Sequence, residues 1–471
     1  MRSADIMSGE LNLLRREQII PWVLLGFIFA VVSAGFSGRL IIAEKRAVAL
    51  VASEEARTLI DSLAVQAASG SETARSAGAV AYSVLSIPVT KAAAPLEGLA
   101  IGQSDLLPDT YWVTARGAHK FLGQTDPENS LRLVTGNFDV AFLIVWVLPL
   151  IAIGMMFDIV VGERERGVLS LACVAGASAG RFVWHKWWCR FLLLAAATTL
   201  AIVLAATIQT GVWTATTTFV LIGWVLSTLV YLALWCALAF YVSAGAASSE
   251  SAATRLAAAW LVFVVLVPAF TNLLTSSAVA PPSRVALTAA LREATEQADK
   301  TIAAERDQWF FDHPDIKGEM DRQAYYRSVA RSEIEIDKVM SPLLEEFAQN
   351  ARDQQRFVET LKYLSPGTLT FRSLTTLSGS DGDQHARFRD AVANYHDEWR
   401  QFFLTRLQTG TPLAANDYTQ LPRFSPPQYD WREMVKTLVI PLLFMIGLTL
   451  MICLQASRRL REPGVIVGRS A

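Results

Sequence analysis

Phe138 to Leu171 reads FDVAFLIVWVLPLIAIGMMFDIVVGERERGVLSL, and the division of that stretch decides the fold. From Phe138 to Val161 it is apolar except for Asp139 and Asp158 near its ends. A bilayer needs about 20 such residues, with a range of roughly 17–25. Glu163, Arg164, Glu165 and Arg166 then follow at once, before Gly167 and a second apolar piece. Successive residues turn about 100° around a helix, so four consecutive charges cannot share one face. They belong outside the hydrocarbon, in water or in a protein contact. Glu163 and Arg166 have the i,i+3 spacing of an ion pair. Arg166 suits the negative end of a helix and Gly167 the left-handed position after it. The second crossing is therefore expected to end as a charged stub at Gly167. "VLSLACVAGASAG" then reads as a short interfacial piece, and "RFVWHKWWCR" leads back inward with basic and Trp residues suited to the interface.

Five further runs are long enough to cross: Ile19–Ser37, Phe191–Gln209, Thr217–Ala244, Leu256–Leu274 and Met434–Leu454. None carries a charge at its centre, where insertion would cost about 2.5–3.5 kcal/mol. The composition agrees: 52% of the 471 residues are hydrophobic and only 18% charged. The fold class is an all-α polytopic membrane protein with six transmembrane helices. Arg15-Arg16 before the first run resembles a signal peptide. The run is long for one and no clean A-x-A site follows, so it reads as an uncleaved crossing.

Net charge is −1, which implies no acidic polymer as partner and no nucleic acid. There is no G-x-x-x-x-G-K-[ST] loop, no H-E-x-x-H pair and no G-x-S-x-G elbow. The chain is thus expected not to be an enzyme and not to hydrolyse ATP itself. His313, His385 and His396 stand alone, without metal-ligand spacing.

Basic residues in short flanks set the orientation. Arg2, Arg15 and Arg16 precede the first crossing. Arg164, Arg166, Arg181, Lys186 and Arg190 lie in the second-to-third connection, Arg255 in the fourth-to-fifth, and Arg458, Arg459, Arg461 and Arg469 after the sixth crossing. With six crossings these fall on one side. Both termini (1–18 and 455–471) and the 162–190 segment are then cytoplasmic. Two long loops, 40–136 and 276–432, fall outside and make up more than half of the chain. Neither has a cysteine, so neither is disulfide-stapled.

The first loop opens as a helix continuing from the first crossing. After Gly70 it becomes mixed, too rich in proline and glycine for long helices. The second is mainly helical. Leu287, Leu291, Ala294, Ala298 and Ile302 form one apolar face, and Ile336, Met340, Leu343 and Phe347 another. Ser341 and Pro342 read as a cap and first residue, starting a new helix or a kink. Phe388, Ala391, Tyr395, Trp399 and Phe402 make a third face. "SPGTLTFRSLTTLSGSDGD" between them is expected to turn repeatedly.

"GERERGVLSL" followed by "GASAGRFVWHKWW" resembles the region after the second crossing of ABC-2-type transporter permeases. That family's pattern is a Gly-Glu-Arg-Glu-x-Gly-Thr-Leu run, a short helix and a basic re-entry. Glu163, Arg164, Glu165, Arg166, Gly167 and Leu169 stand at the matching positions, and Lys186 matches the re-entry lysine. Val168 stands where threonine is usual. "LAIGQSDLLP" (Leu99–Pro108) and "YLSPGTLTF" (Tyr363–Phe371) resemble stretches in one subgroup of uncharacterised function with two large outer loops.

The resemblance implies an ABC-2-type core in a cytoplasmic (inner) membrane. It implies a permease subunit, an exporter, that couples ATP hydrolysis by a separate cytoplasmic ATP-binding subunit to movement of substrate. The seven matching residues would couple to that subunit, ATP would be bound there, and this chain would need no cofactor. A second permease subunit, identical or paralogous, membrane lipid and a periplasmic partner complete the expected contacts. From the residues themselves, Pro149, Pro268 and Pro441 within crossings read either as points of bending or as ordinary tolerated kinks, and Gln209 with Thr214 to Thr218 either as the lining of a path or as loop polarity. The charge quartet fits equally an ATP-linked machine that moves envelope partners without a substrate. A sensor or scaffold is the third reading.

Overall fold

The computed structural model describes residues 9–10, 14, 17–102, 108–118, 138–174, 178–278, 284–314, 321–428 and 431–461. Arg2, Arg15, Arg16 and Arg469, and residues 103–107 of the Leu99–Pro108 stretch, lie outside the described residues. Among those described, six helices are long and apolar enough to cross a membrane. The chain is an all-α polytopic protein with a single two-stranded sheet among its described residues.

Helix α1 (Ile19–Ala68) runs 50 residues without a break. Its alanine-rich, proline-free sequence beyond Ser37 gives no reason to stop, as expected. Strands β1 (Ile87–Thr90) and β2 (Thr110–Val113) pair antiparallel in the mixed region that follows. The second span, α2 (Val140–Glu165), is capped by Asp139, which accepts from Phe142 N at 2.7 Å. It is not one smooth stub. A π turn covers Leu143–Val147, and hydrogen-bonded turns separate Met156 from a last short helix, Val161–Glu165. Gly167 then adopts φ +73°, the left-handed ending its position suggested.

Helix α3 (Val168–Val174) is the short piece after that break. Helix α4 (Ala179–Gln209) is continuous, so "RFVWHKWWCR" forms the first turns of the third span rather than a separate lead-in. Trp187 is buried in helix packing and donates to the Cys236 carbonyl at 3.1 Å. Helices α5 (Ala215–Gly245) and α6 (Ser249–Ala278) follow, and the last span is α11 (Trp431–Arg459). Helix α1 lies along α4, and α11 along α5. Trp184 on α4 reaches Ser457 on α11, and Arg190 on α4 reaches Glu10, so both chain ends meet the start of α4. This is the termini end of the bundle, and the large loops occupy the other, the loop end.

Close approach at the loop end depends on glycine. A Cβ on Gly38 would lie 2.0 Å from the Gly98 carbonyl oxygen. That contact lets α1 and the first loop meet without a gap.

In the second loop, α7 (Arg284–Asp312) and α8 (Arg322–Leu361) pack as a hairpin. Ala294 and Ala298 meet Ile336 and Met340, with Leu287, Leu291 and Leu343 around them, on the faces the periodicity marked. Pro342 does not start a new helix: α8 runs through it. Its missing N–H costs one intrahelical bond, and the packing of Met340, Leu343 and Leu344 on both sides holds the helix together.

The third face lies on α10 (Gly382–Thr409), but it is Phe388, Val392, Tyr395, Trp399 and Phe403 that are buried. Val392 and Phe403 replace Ala391 and Phe402, because the buried stripe continues from Trp399 through Phe403 to Leu407 at spacings of four, which leaves Ala391 and Phe402 at its edge. They join Leu63, Val80, Tyr82 and Val113 of the first loop in one hydrophobic cluster. The two loops therefore share a core.

The stretch expected to turn repeatedly is instead a helix, α9 (Pro366–Ser378). Ser365 caps it, accepting from Thr368 N at 3.1 Å, Pro366 begins it, and Gly379 ends it in the left-handed region. The Ser and Thr side chains that suggested turns bond back to carbonyls three or four residues earlier, as Thr370 does to Pro366. Leu369, Leu374 and Leu377 sit in the core of the membrane bundle itself.

Candidate functional site

At the termini end the charge quartet divides its work. Glu163 turns inward and is 5% exposed. Its Oε1 accepts from Lys186 Nζ at 2.8 Å and from Arg166 Nη2 at 2.9 Å. Lys186 also pairs with Glu10 Oε2 at 2.8 Å. Glu10 Oε1 accepts from Arg190 Nε at 2.7 Å, and Arg190 Nη1 reaches Asp158 Oδ1 at 2.9 Å. Arg166 closes the circuit on Asp158 Oδ2 at 3.3 Å. Three carboxylates thus face three cations. Glu10, Lys186 and Arg190 are 2%, 4% and 9% exposed, so little water solvates the charges. A buried charge is tolerated only when paired and hydrogen-bonded, and each member here has two charged partners.

The other two charges tie α2 to the α5–α6 turn. Arg164 Nη2 donates to the Ala246 and Ala247 carbonyls at 2.5 and 3.1 Å, satisfying the free end of α5. Glu165 accepts from Ser249 N at 2.9 Å and from Ser249 Oγ at 2.5 Å, at the positive start of α6. Ser243 Oγ accepts from Val160 N and Val161 N at 3.1 and 3.2 Å, where α2 is interrupted.

Of the seven residues singled out in the sequence, Glu163, Leu169 and Lys186 are buried and hold the structure from within. Arg164 is half-buried, while Glu165, Arg166 and Gly167 are exposed. The outward face of α3 carries Leu171 and Val174, 69% and 87% exposed, while Leu169 and Ala172 pack beneath it. An apolar helix face is thus displayed on a rigid charged base.

Sequence reasoning missed Glu10, Asp158, Arg190, Ser243 and Ser249. Lys186 and Arg190 did offer a signal. They are i,i+4 neighbours on one helix face, and two cations on a buried face require acids opposite them.

The loop end is built from neutral groups. Pro149 and Pro268 each follow a π turn, Leu143–Val147 in α2 and Leu261–Leu266 in α6. In the register of the second turn Val267 N bonds to Val262 O, so Phe263 O would need an N–H from residue 268, and proline has none. Ser365 Oγ donates to that Phe263 carbonyl at 2.6 Å. Tyr231 Oη likewise donates at 2.9 Å to Val145 O, four residues before Pro149. Trp224 Nε1 on α5 donates to Ser378 Oγ at the other end of α9, at 3.2 Å. Helix α9 is therefore pinned inside the bundle at both its ends. Gln209 donates to the Gly35 carbonyl at 3.1 Å, and Thr214 caps α5.

A family profile described as "Domain of unknown function (DUF3526)" matches residues 284–427, the second large loop from α7 to the approach to α11. No curated protein matches the chain.

Proposed function

We propose that this chain is the membrane-spanning permease subunit of an ABC-2-type ATP-binding-cassette transporter, an exporter driven by a separate cytoplasmic ATP-binding subunit. The observation that carries this reading is α3. It is a short helix with an apolar outward face, set on a paired charge hub that joins the starts and ends of α2, α4, α5 and α6. A push on Leu171 and Val174 would pass through Gly167 to α2 and through the hub to α4. Dense packing transmits such a displacement with little loss. The termini end is then the cytoplasmic side and the shared loop domain is extracytoplasmic. ATP is bound by the partner, and this chain needs no cofactor.

The shared core of the two loops also favours the non-transporting machine, in which that domain is the moving output. ATPase stimulation by a small molecule or lipid supports transport; stimulation only by an envelope protein supports the machine.

The docking role is tested by Leu171→Asp with Val174→Asp. Both side chains are exposed, so folding should be preserved. The ATP-binding subunit should no longer co-purify with the permease, whereas the unaltered chain retains it. Undiminished co-purification and ATPase coupling in the double variant would refute the docking face.

A further inference from the structure

The face of α1 turned away from the rest of the chain carries a seven-residue repeat that runs from the membrane span into the water-facing part of the helix. Trp22, Phe29, Phe36, Ala43 and Leu50 fall seven apart, and every one is exposed. Ile19, Gly26, Ser33, Leu40 and Ala47 form the second series, three residues before each of the first, and they too are all exposed. Together they make the alternating three-four spacing of a coiled-coil seam.

Lipid would cover the lower half of this seam without further explanation. It does not cover the upper half. Arg39 Nη1 donates to Ile208 O at 2.7 Å, and Gln209 is the last residue of the α4 span, so α1 passes the end of that span at Arg39. On the seam beyond it, Leu40 and Leu50 are 55% and 69% exposed, and Ala43 and Ala47 between them are exposed as well. The opposite face of the same segment is fully used, through Ile42, Ala52, Ala56 and Leu63. The apolar seam then gives way to Glu54 and Arg57.

From this geometry we infer that the face is the contact with a second copy of this chain, α1 against α1 in parallel. Copies inserted in one membrane share an orientation, so a two-fold axis along the membrane normal brings the same stripe of each into register. The stripe is self-complementary. Trp22, Phe29 and Phe36 are large, Gly26 and Ser33 between them are small, and a Cβ on Gly26 would meet nothing within 4 Å. A large knob of one helix thus finds a hole at a small residue of the other. A strict period of seven gives a left-handed crossing that keeps the seam in contact along its length. With three aromatic side chains at 73%, 74% and 53% exposure, and Ile19, Leu40 and Leu50 beside them, the area available is on the order of 800 Å² per copy, the size of a stable interface. The inference takes from the proposed function only the presence of a second membrane subunit. Its test involves no ATP.

The test is disulfide trapping of the full chain in native membranes, with the four native cysteines replaced by alanine. Ala47→Cys lies on the seam, while Ser53→Cys and Glu55→Cys are exposed but turned about 90–110° away. Ala47→Cys should give a covalent dimer of this chain on mild oxidation, at least tenfold more than either control. Leu50→Glu with Ala47→Glu should shift the detergent-purified chain from two copies to one by light scattering while it stays monodisperse. Equal trapping at all three positions would overturn the inference. So would trapping of Ala47→Cys to a different protein, or an unchanged dimer in the double glutamate variant. Retention of an ATP-binding subunit is read separately, so loss of one result leaves the other standing.

Discussion

The two ends of the helical bundle solve the same problem with opposite chemistry. At the termini end, α2 is interrupted after Met156 and held by ions: Glu10, Asp158 and Glu163 against Arg166, Lys186 and Arg190. At the loop end, α2 and α6 are interrupted at Pro149 and Pro268 and held by neutral hydroxyls, Tyr231 and Ser365. Of the ionic set only Arg166, at its rim, is half in water; Glu10, Glu163, Lys186 and Arg190 are buried and rely on one another, whereas Tyr231 is buried among apolar residues with a single carbonyl as its partner. A charge deep in a low-dielectric bundle is costly, while a hydroxyl that meets a carbonyl there is nearly neutral in free energy. The two chemistries differ in how much each end can move. Ion pairs hold backbone segments through long side chains and can exchange partners. A hydroxyl bonded to one particular carbonyl fixes a helix in a single position.

Substitutions at the two ends test this contrast. The largest effect is expected from Lys186→Met, which leaves Glu10 and Glu163 facing each other without their shared cation. Glu163 keeps Arg166 and Glu10 keeps Arg190, but three carboxylates then face two cations, and leaving one buried charge uncompensated costs about 3–5 kcal/mol. Thermal unfolding in detergent should show it, and neutralising one acid (Glu163→Gln) in the same chain, which restores two carboxylates against two cations, should recover most of it. A Lys186→Met protein as stable as the unaltered one would mean that the ionic end carries no more weight than the neutral one.

A smaller loss, about 1–3 kcal/mol, is expected for Ser365→Ala. It removes both the cap of α9 and the donor to Phe263. Ser365→Thr, which keeps the hydroxyl, should lie closer to the unaltered protein. If the two variants melt together, the hydroxyl does not hold α9 in place.

The smallest effect is expected from acid. Burial, ahead of the nearby Lys91 charge, pushes His385 in the loop domain down to about 4 from its ordinary value near 6.5. Burial likewise holds His396 below that value; its Nε2 contacts the Arg116 carbonyl at 2.6 Å. A histidine depressed in the folded state takes up its proton first in the unfolded chain. Its contribution is therefore complete above about pH 6.5 and lost as pH falls from there toward 4. His385→Gln should flatten the melting profile across that window. An identical profile in the variant would remove His385 from the account of the neutral end.

Much of this was legible in the chain. The six apolar runs, the left-handed break at Gly167 and the paired faces of α7 and α8 all follow from period, length and residue type. The helix α9 was not, because its serines and threonines serve turns and buried helices equally well. The α10 face was read one position off at Ala391 and Phe402, since an aromatic-rich helix offers two plausible stripes. Within the candidate site, the quartet and Lys186 stood out, but their direction did not. Glu163 and Glu165 look alike in sequence, yet one is buried against Lys186 and the other sits on the start of α6.

Where the chain is apolar enough to cross a bilayer can be read residue by residue, because transfer free energy is a sum over local residues. The break at Gly167 can be read the same way, because backbone conformation is local too. Which charges meet is set by the packing of helices far apart in the chain. Glu10 and Arg190 are 180 residues apart, and Asp158 and Arg190 are separated by a whole connection. Only packing brought α9 into the membrane core, where its Ser365 supplies the donor that a proline in another helix lacks. Partners of that kind depend on how helices cross, and no local pattern encodes a crossing.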